Sequence, residues 1–212
     1  MIARSLLRDQ SGAAAEFALV LPLVLVFIFG IIDAGRFMWA YNRAEKATQV
    51  GARVAVVTNV IAPGLASASY VGQTVNGVTL SQGDRIPAGA LGKITCSSSS
   101  GAVTCSCTSS PCPTLGAPVA TDFSRVVTAM QNMESRINAD NVQIIYQGSG
   151  LGFAGDPNGS EISPLVTVKL SSAPAATALK FTPITFLLFA TISMPSFSTT
   201  LTGEDLSGTQ SN

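Results

Sequence analysis

Residues 13–32 read AAAEFALVLPLVLVFIFGII, twenty positions with a single ionisable side chain, Glu16. At 1.5 Å of rise per residue this run makes about 30 Å of helix, the thickness of a bilayer hydrocarbon core. The apolar region of a cleaved signal peptide is shorter, roughly 7–15 residues, and ends in a small-residue cleavage site. No such site follows Ile32. Asp33-Ala34-Gly35-Arg36 comes next, then Phe37, Met38, Trp39 and Tyr41, side chains suited to a membrane interface, and then NRAEKATQVGARVAVVT, which still reads as helix. The run is therefore predicted to be a retained membrane helix rather than a buried core helix.

Working outward, Ala40, Ala44, Ala47, Gly51, Val54 and Thr58 recur at steps of four and three, while Asn42, Arg43, Glu45, Lys46, Gln49 and Arg53 fall elsewhere on the wheel. One face is small and apolar, fit to lie on the chain's own domain or in a packed helix bundle. Helix without a break from Ala13 to Thr58 would be about 69 Å long. Pro22, which removes a backbone donor, and Gly30, which weakens the helix, are the expected bends.

Composition excludes several classes of function. Twelve Lys and Arg balance twelve Asp and Glu, so there is no net field toward nucleic acid, and only 11% of residues are charged. The chain has no histidine, which removes Ser/His/Asp and Cys/His catalysis and imidazole zinc sites. No phosphate loop or activated nucleophile is present, and neither an enzyme nor a cofactor is expected.

Cys96, Cys105, Cys107 and Cys112 lie in a Ser/Thr-rich stretch, KITCSSSSGAVTCSCTSSPCPT. The even number predicts two disulfides in an oxidising compartment; a zinc site of four thiolates fits poorly, because paired C-x2-C arms are missing. Three pairings are open, and a bridge from Cys105 to Cys107 would close a strained ring. Arg4 and Arg8 precede the apolar run, and Arg36, Arg43 and Lys46 follow it. The positive-inside rule alone favours a cytoplasmic C-terminus, but the later cations are balanced by Asp33 and Glu45 and the cysteines place the C-terminal part outside the cytoplasm.

Residues 59–121, rich in Gly, Ser, Thr, Ala and Pro, read as a long disulfide-tied loop with short strand-like runs such as GVTL at 77–80. Asp122 is predicted to cap a helix with Phe123, Val126, Val127, Met130 and Ile137 inward and Arg125, Gln131, Glu134 and Arg136 mostly outward. Strands are predicted at 142–147 (VQIIYQ), 165–170 (LVTVKL) and 190–194 (ATISM). The run FTPITFLLF at 181–189 is too short to span a bilayer and is expected to be buried. Asp156, Asn158 and Ser160 alternate as in a calcium loop, but without its sixth-position Gly and twelfth-position Glu they read as a turn. The expected fold is α+β, a long N-terminal transmembrane helix packed on a small antiparallel sheet domain with a second, amphipathic helix.

A carboxylate one turn inside an apolar run must snorkel, be neutralised or meet a cation, unless it merely begins the helix at headgroup level. Around Glu16 stand a short polar leader with Arg4 and Arg8, then Ser11-Gly12, three alanines, Glu16-Phe17 and the apolar run. This arrangement resembles the processing site of type IV prepilins, specifically the TadE-like pseudopilins, or minor pilins, of Tad (tight adherence, type IVc) pili. ALVLP at 18–22, Asp33-x-Gly35-Arg36 and ATQVGAR at 47–53 are similar to that family as well. The resemblance is strong over residues 8 to 58.

The resemblance implies a leader over 1–12, cut by a prepilin peptidase between Gly12 and Ala13 or between Ser11 and Gly12. The second cut makes Glu16 the fifth mature residue, as is usual in the family. It further implies a helix over 13–58, in the membrane at about 13–38, and an extracytoplasmic domain over 59–212. Glu16, followed by Phe17, would pair with the N-terminal ammonium of a neighbour or of its own chain. Implied partners are other pilin and pseudopilin subunits, the peptidase, the inner-membrane assembly platform and membrane lipid, with no nucleic acid. The implied location is the bacterial inner membrane, N-terminus cytoplasmic and C-terminal domain periplasmic, with passage into an extracellular pilus. The implied role is structural, in assembly, priming or the tip, and so in adherence. A binding module built on the 59–121 loop and a bitopic envelope protein without a filament are the other readings.

Overall fold

The computed structural model describes residues 2–185, 190–204 and 206, with side chains from Ala14 onward. In chain order the elements are α1 (Ile2–Val57), a single turn α2 (Pro63–Ala66), β1 (Thr74–Val75), β2 (Val78–Thr79), β3 (Lys93–Ser99), β4 (Ala102–Ser109), α3 (Ala120–Gln131), β5 (Val142–Gln147), β6 (Leu165–Leu170), β7 (Lys180–Phe181), β8 (Ile192–Ser193) and β9 (Phe197–Thr202). The fold is α+β. Two compact units divide the chain: residues 1–41 with 180–192, and residues 42–179 with 193–212.

The long helix is one α-helical run of 56 residues that passes through Pro22 and Gly30 without interruption. Its C-terminal end is closed locally, where the Thr58 hydroxyl donates to the Val54 carbonyl at 2.9 Å and satisfies one of the orphan acceptors of the last turn.

In the second unit the sheet is antiparallel, in the order β4-β3-β5-β6-β9. Alternation places Ile94, Cys96, Val142, Ile144, Tyr146, Val166, Val168 and Leu170 in the core. The other face is wetter, and cross-strand hydroxyl pairs run along it, Thr167 with Thr200 at 2.7 Å and Thr95 with Thr108 at 3.2 Å. Phe123, Val126, Val127 and Met130 of α3 are buried, as their spacing predicts.

The extension of α1 belongs to this unit and supplies Ala44, Ala47, Thr48, Gly51, Ala52, Ala55 and Val56 to the interior. The buried stripe is wider than the expected one, and Val54 and Thr58 sit at its edge, half-buried. Gly51 fixes the approach: a Cβ there would lie 2.7 Å from Met130 Cγ and 3.2 Å from Val168 Cγ1. The hydroxyls of Thr48 and Thr199 meet at 2.9 Å, so this buried polar atom has a partner.

Several expectations are corrected. The cysteine stretch is not a loop: β3 and β4 form a hairpin with Ser99 opposite Ala102, and Ser100 (φ 51°) and Gly101 (φ 84°) take the left-handed turn positions. Serine and threonine hide this from an apolarity count, although Ile94, Cys96 and Ser98 alternate inward. Asp122 is not the cap. The helix starts at Ala120 after Val119, with no side-chain cap, and buried Asp122 in the first turn faces Arg125 at 3.7 Å. Ile137 is buried but lies beyond the end of α3 at Gln131, and Glu134 is buried rather than outward.

Residues 190–194 do not enter the main sheet. Only Ile192–Ser193 is extended, paired with Lys180–Phe181, and the fifth strand is Phe197–Thr202. Of the 181–189 run, Phe181 and Pro183 are buried and Ile184 is exposed, while 186–189 lie outside the described residues.

Candidate functional site

The membrane-length part of α1 is apolar on every side. Leu19, Val20, Leu21, Leu23 and Val24, which step around the helix about 100° per residue, are all exposed, and Phe17, Phe27, Ile31 and Trp39 are strongly so. It is the one helix among the described residues long and apolar enough to cross a membrane. A helix that is hydrophobic all round needs an apolar surrounding, and its own chain leaves this one open to lipid or to other helices.

Along this rod lie two acids in opposite circumstances. Glu16 is exposed and has no hydrogen-bond or ion-pair partner among the described residues. Phe17 beside it is also exposed. Gly12, one turn earlier, is exposed and has open space where a Cβ would sit. The side chains of Ser11 and Ala13, the other candidates for flanking a cut, lie outside the described ones.

Asp33 closes the apolar run and is only 7% exposed. One carboxylate oxygen accepts from the Ile184 amide at 2.8 Å and from Arg36 at 2.7 Å. The other accepts from the Thr185 amide at 3.2 Å and the Thr185 hydroxyl at 3.0 Å. The Arg36 guanidinium also sits over the Phe181 ring, 5.4 Å from its centroid, and Phe37 meets that ring edge-on at 5.4 Å. Gly30, Asp33, Ala34 and Phe37, spaced three, four and seven apart on one helix face, line an apolar groove with Phe181 and Ile192. Sequence reading assigned Asp33 only to charge balance and to a family motif. The signal for its structural role was the second apolar run at 181–189, which needed an anchor.

The cysteines form two disulfides, Cys96–Cys105 across the β3–β4 pair and Cys107–Cys112 from β4 to the segment after it. Cys96 is buried in the sheet core, whereas Cys107 is exposed. In the 155–161 loop the Asp156 carboxylate accepts from the Asn158 amide at 2.9 Å, the Ser160 hydroxyl donates to the Ile162 carbonyl at 3.1 Å, and the Glu161 carboxylate accepts from the Tyr70 amide at 2.7 Å. These ligand types are spent on the turn and on a distant tie. No group of three metal-ligating side chains gathers among the described residues.

Two buried phenols have raised pKa values. Tyr70 is pushed up to about 12 by burial and then by the Glu161 charge. Tyr146, whose oxygen accepts from the Ile61 amide at 3.2 Å, is pushed above its usual range chiefly by burial. Both stay neutral in any physiological buffer. Glu134, missed by sequence reading, receives Arg136 Nε at 2.8 Å and faces Arg43 Nε at 3.6 Å, so it ties the α1 extension to the segment after α3.

Residues 12–53 match the model of a family described as TadE-like protein. That stretch opens at Gly12 and contains both acids and the start of the buried α1 extension. No curated protein and no solved structure matches the chain. Over residues 12–53, then, the chain is similar to TadE-like proteins.

Proposed function

We propose that this chain is a minor pilin, or pseudopilin, of a Tad-type pilus: a structural subunit rather than an enzyme. It is held in the bacterial inner membrane by α1, N-terminus cytoplasmic, and contributes to assembly, priming or the tip of the filament and so to surface adherence. The carrying observation is the contrast between the two acids. Asp33 is satisfied by Ile184 and Thr185, whereas Glu16, in the same apolar helix, meets no partner among the described residues.

A carboxylate in an apolar surrounding calls for a counter-charge. In this reading residues 1–12 are a leader removed by a prepilin-type peptidase, at Gly12/Ala13 or Ser11/Gly12. The ammonium thereby created sits one turn before Glu16 and pairs with the Glu16 carboxylate of a neighbouring subunit. Charge pairing at low dielectric fixes the register of helices whose apolar surfaces would otherwise slide, and Phe17 packs at the same level. Residues 13–58 form the assembly helix, bent at Pro22 and Gly30 where the filament requires it, with about 13–38 in the bilayer before extraction. Residues 59–212, the extracytoplasmic domain, select the adjacent subunits and the assembly platform, and the two disulfides suit an oxidising periplasm.

Two measurements test the reading. Intact mass of the membrane-extracted protein should show loss of the first 11 or 12 residues, and a mature chain beginning at Met1 would remove the pilin assignment. Glu16→Ala should abolish incorporation into pili, because an unpaired buried ammonium costs about 3–5 kcal/mol, while membrane retention and protease resistance of the second unit stay unchanged. Normal piliation in the variant would reduce Glu16 to an interfacial residue of a bitopic envelope protein.

A further inference from the structure

The segment leading away from β7 makes an unusual commitment. Its backbone at Ile184 and Thr185 is spent on the Asp33 carboxylate, with amide distances of 2.8 and 3.2 Å. Asp33 is the first residue after the apolar run of α1. The segment is therefore held at the level where the hydrocarbon core ends and the headgroup region begins. At that level Ile184 is 46% exposed and Ile192, which lies beside Gly30, Ala34 and Phe37 of the helix, is 47% exposed.

We propose that residues 180–185 and 190–192 form a bilayer-contacting foot, docked on α1 by Asp33, whose exposed isoleucines enter the outer-leaflet interface. The partner is a lipid surface. Three observations favour lipid over water. The exposed isoleucines belong to a segment docked on an apolar helix that must itself be surrounded by apolar matter. The groove floor between the segment and the helix is apolar, built from Gly30, Ala34, Phe37 and Phe181. The polar atoms facing the helix are turned inward onto Asp33 instead of outward to solvent.

Burying two amides and a hydroxyl on one carboxylate removes the backbone cost that otherwise keeps irregular segments out of the interface. Arg36 completes the arrangement by neutralising the carboxylate, and its stacking on Phe181 holds the start of the segment in place. The proposal requires only that α1 span a bilayer and is independent of leader cleavage or filament assembly.

The test uses the full chain in vesicles of phosphatidylethanolamine and phosphatidylglycerol, with a nitroxide attached at Ile184→Cys, at Ile192→Cys and, as the aqueous reference, at Val78→Cys, an exposed position in the second unit. Relaxation by water-soluble nickel chelate and by oxygen reports the surroundings of each label. At positions 184 and 192 nickel accessibility should be severalfold below that at 78, and oxygen accessibility severalfold above it. Adding Asp33→Ala should return both labels toward the reference, with Asp33→Asn, which keeps one acceptor oxygen, falling between. Nickel accessibility equal to the reference would overturn the proposal, and protection from both relaxers would overturn it in favour of a neighbouring protein. Lipid exposure that persists in Asp33→Ala, with protease resistance of the second unit intact, would refute the docking role of Asp33.

Discussion

Replacing Glu134 by Gln should destabilise the second unit by about 2 kcal/mol, a figure that lies between the 0–1 typical of exposed ion pairs and the 3–5 of fully buried ones. The structure sets that position. The Glu134 side chain is 2% exposed, but its partners Arg43 and Arg136 are 34% and 51% exposed, so they rehydrate when the charge is lost. What disappears is the charge on hydrogen bonds from Arg136 Nε at 2.8 Å and Arg136 Nη2 at 3.2 Å, together with the attraction to Arg43 at 3.6 Å. Hydrogen bonds to charged groups are worth about 1.5–3 kcal/mol, and Gln keeps a neutral remnant of them.

Burial by itself pushes the Glu134 carboxyl upward, but hydrogen bonds and charge from Arg136, then the charge of Arg43, hold it below its ordinary value. A native-state pKa below the unfolded one means that the unfolded chain binds the proton first. The contribution is complete above the ordinary Glu value of about 4.3 and fades as pH falls through the folded value. Urea unfolding of the full chain in detergent micelles, followed by near-ultraviolet dichroism of buried Tyr70 and Tyr146, measures this. The wild type should exceed Glu134→Gln by the full difference at neutral pH, and the two curves should converge below about pH 4. A difference under about 0.5 kcal/mol, or one unchanged between neutral and acid pH, would refute the reasoning.

Gly51→Val should lower the urea midpoint by the equivalent of about 1–3 kcal/mol, since even its Cβ collides with Met130, whereas Gly35→Ala, which has open space, should leave stability unchanged or raise it. Graded reduction of the native protein with alkylation and mass mapping should open Cys107–Cys112 before Cys96–Cys105, because Cys107 is exposed and Cys96 lies in the core. Removing the Cys96–Cys105 pair, nine residues apart, should cost about 2–3 kcal/mol by loop closure.

The fold was legible wherever apolar periodicity carried it. The run at 13–32 of α1 could be read from its apolar length, and the Phe123-to-Met130 stripe and the strands at 142–147 and 165–170 because burial demands a repeat of 3.6 or 2. Reading failed where burial is achieved with small or polar side chains. KITCSSS alternates inward through Ile94, Cys96 and Ser98, and FSTTLT pairs its threonines across the sheet, so neither announces itself by hydrophobicity. Turn chemistry held the missing signal. Asn76-Gly77 and Ser100-Gly101 both take positive φ at the two central positions of tight hairpins, and either dipeptide placed between two short extended runs predicts a strand pair.

Glu16 and Asp33 of α1 show why a site can be half legible. Glu16 stands out because every neighbour is apolar, and its context within a few residues is enough to raise the question of its partner. Asp33 stands in a sequence that already contains Arg36 one turn away, so a local reading closes the charge account and stops. Its other ligands are two backbone amides and one hydroxyl about 150 positions later, and backbone donors carry no residue identity. A side chain that recognises main chain is therefore invisible to motif reading even when its energetic role is large. The distinction bears on function: an acid met by its own chain organises that chain, and an acid left unmet in an apolar helix organises something outside it. On that argument Asp33 belongs to the architecture of the anchor, and the role proposed for Glu16 lies in assembly. Asp33→Ala should therefore disturb the seating of residues 180–185 and 190–192, and Glu16→Ala the meeting of subunits.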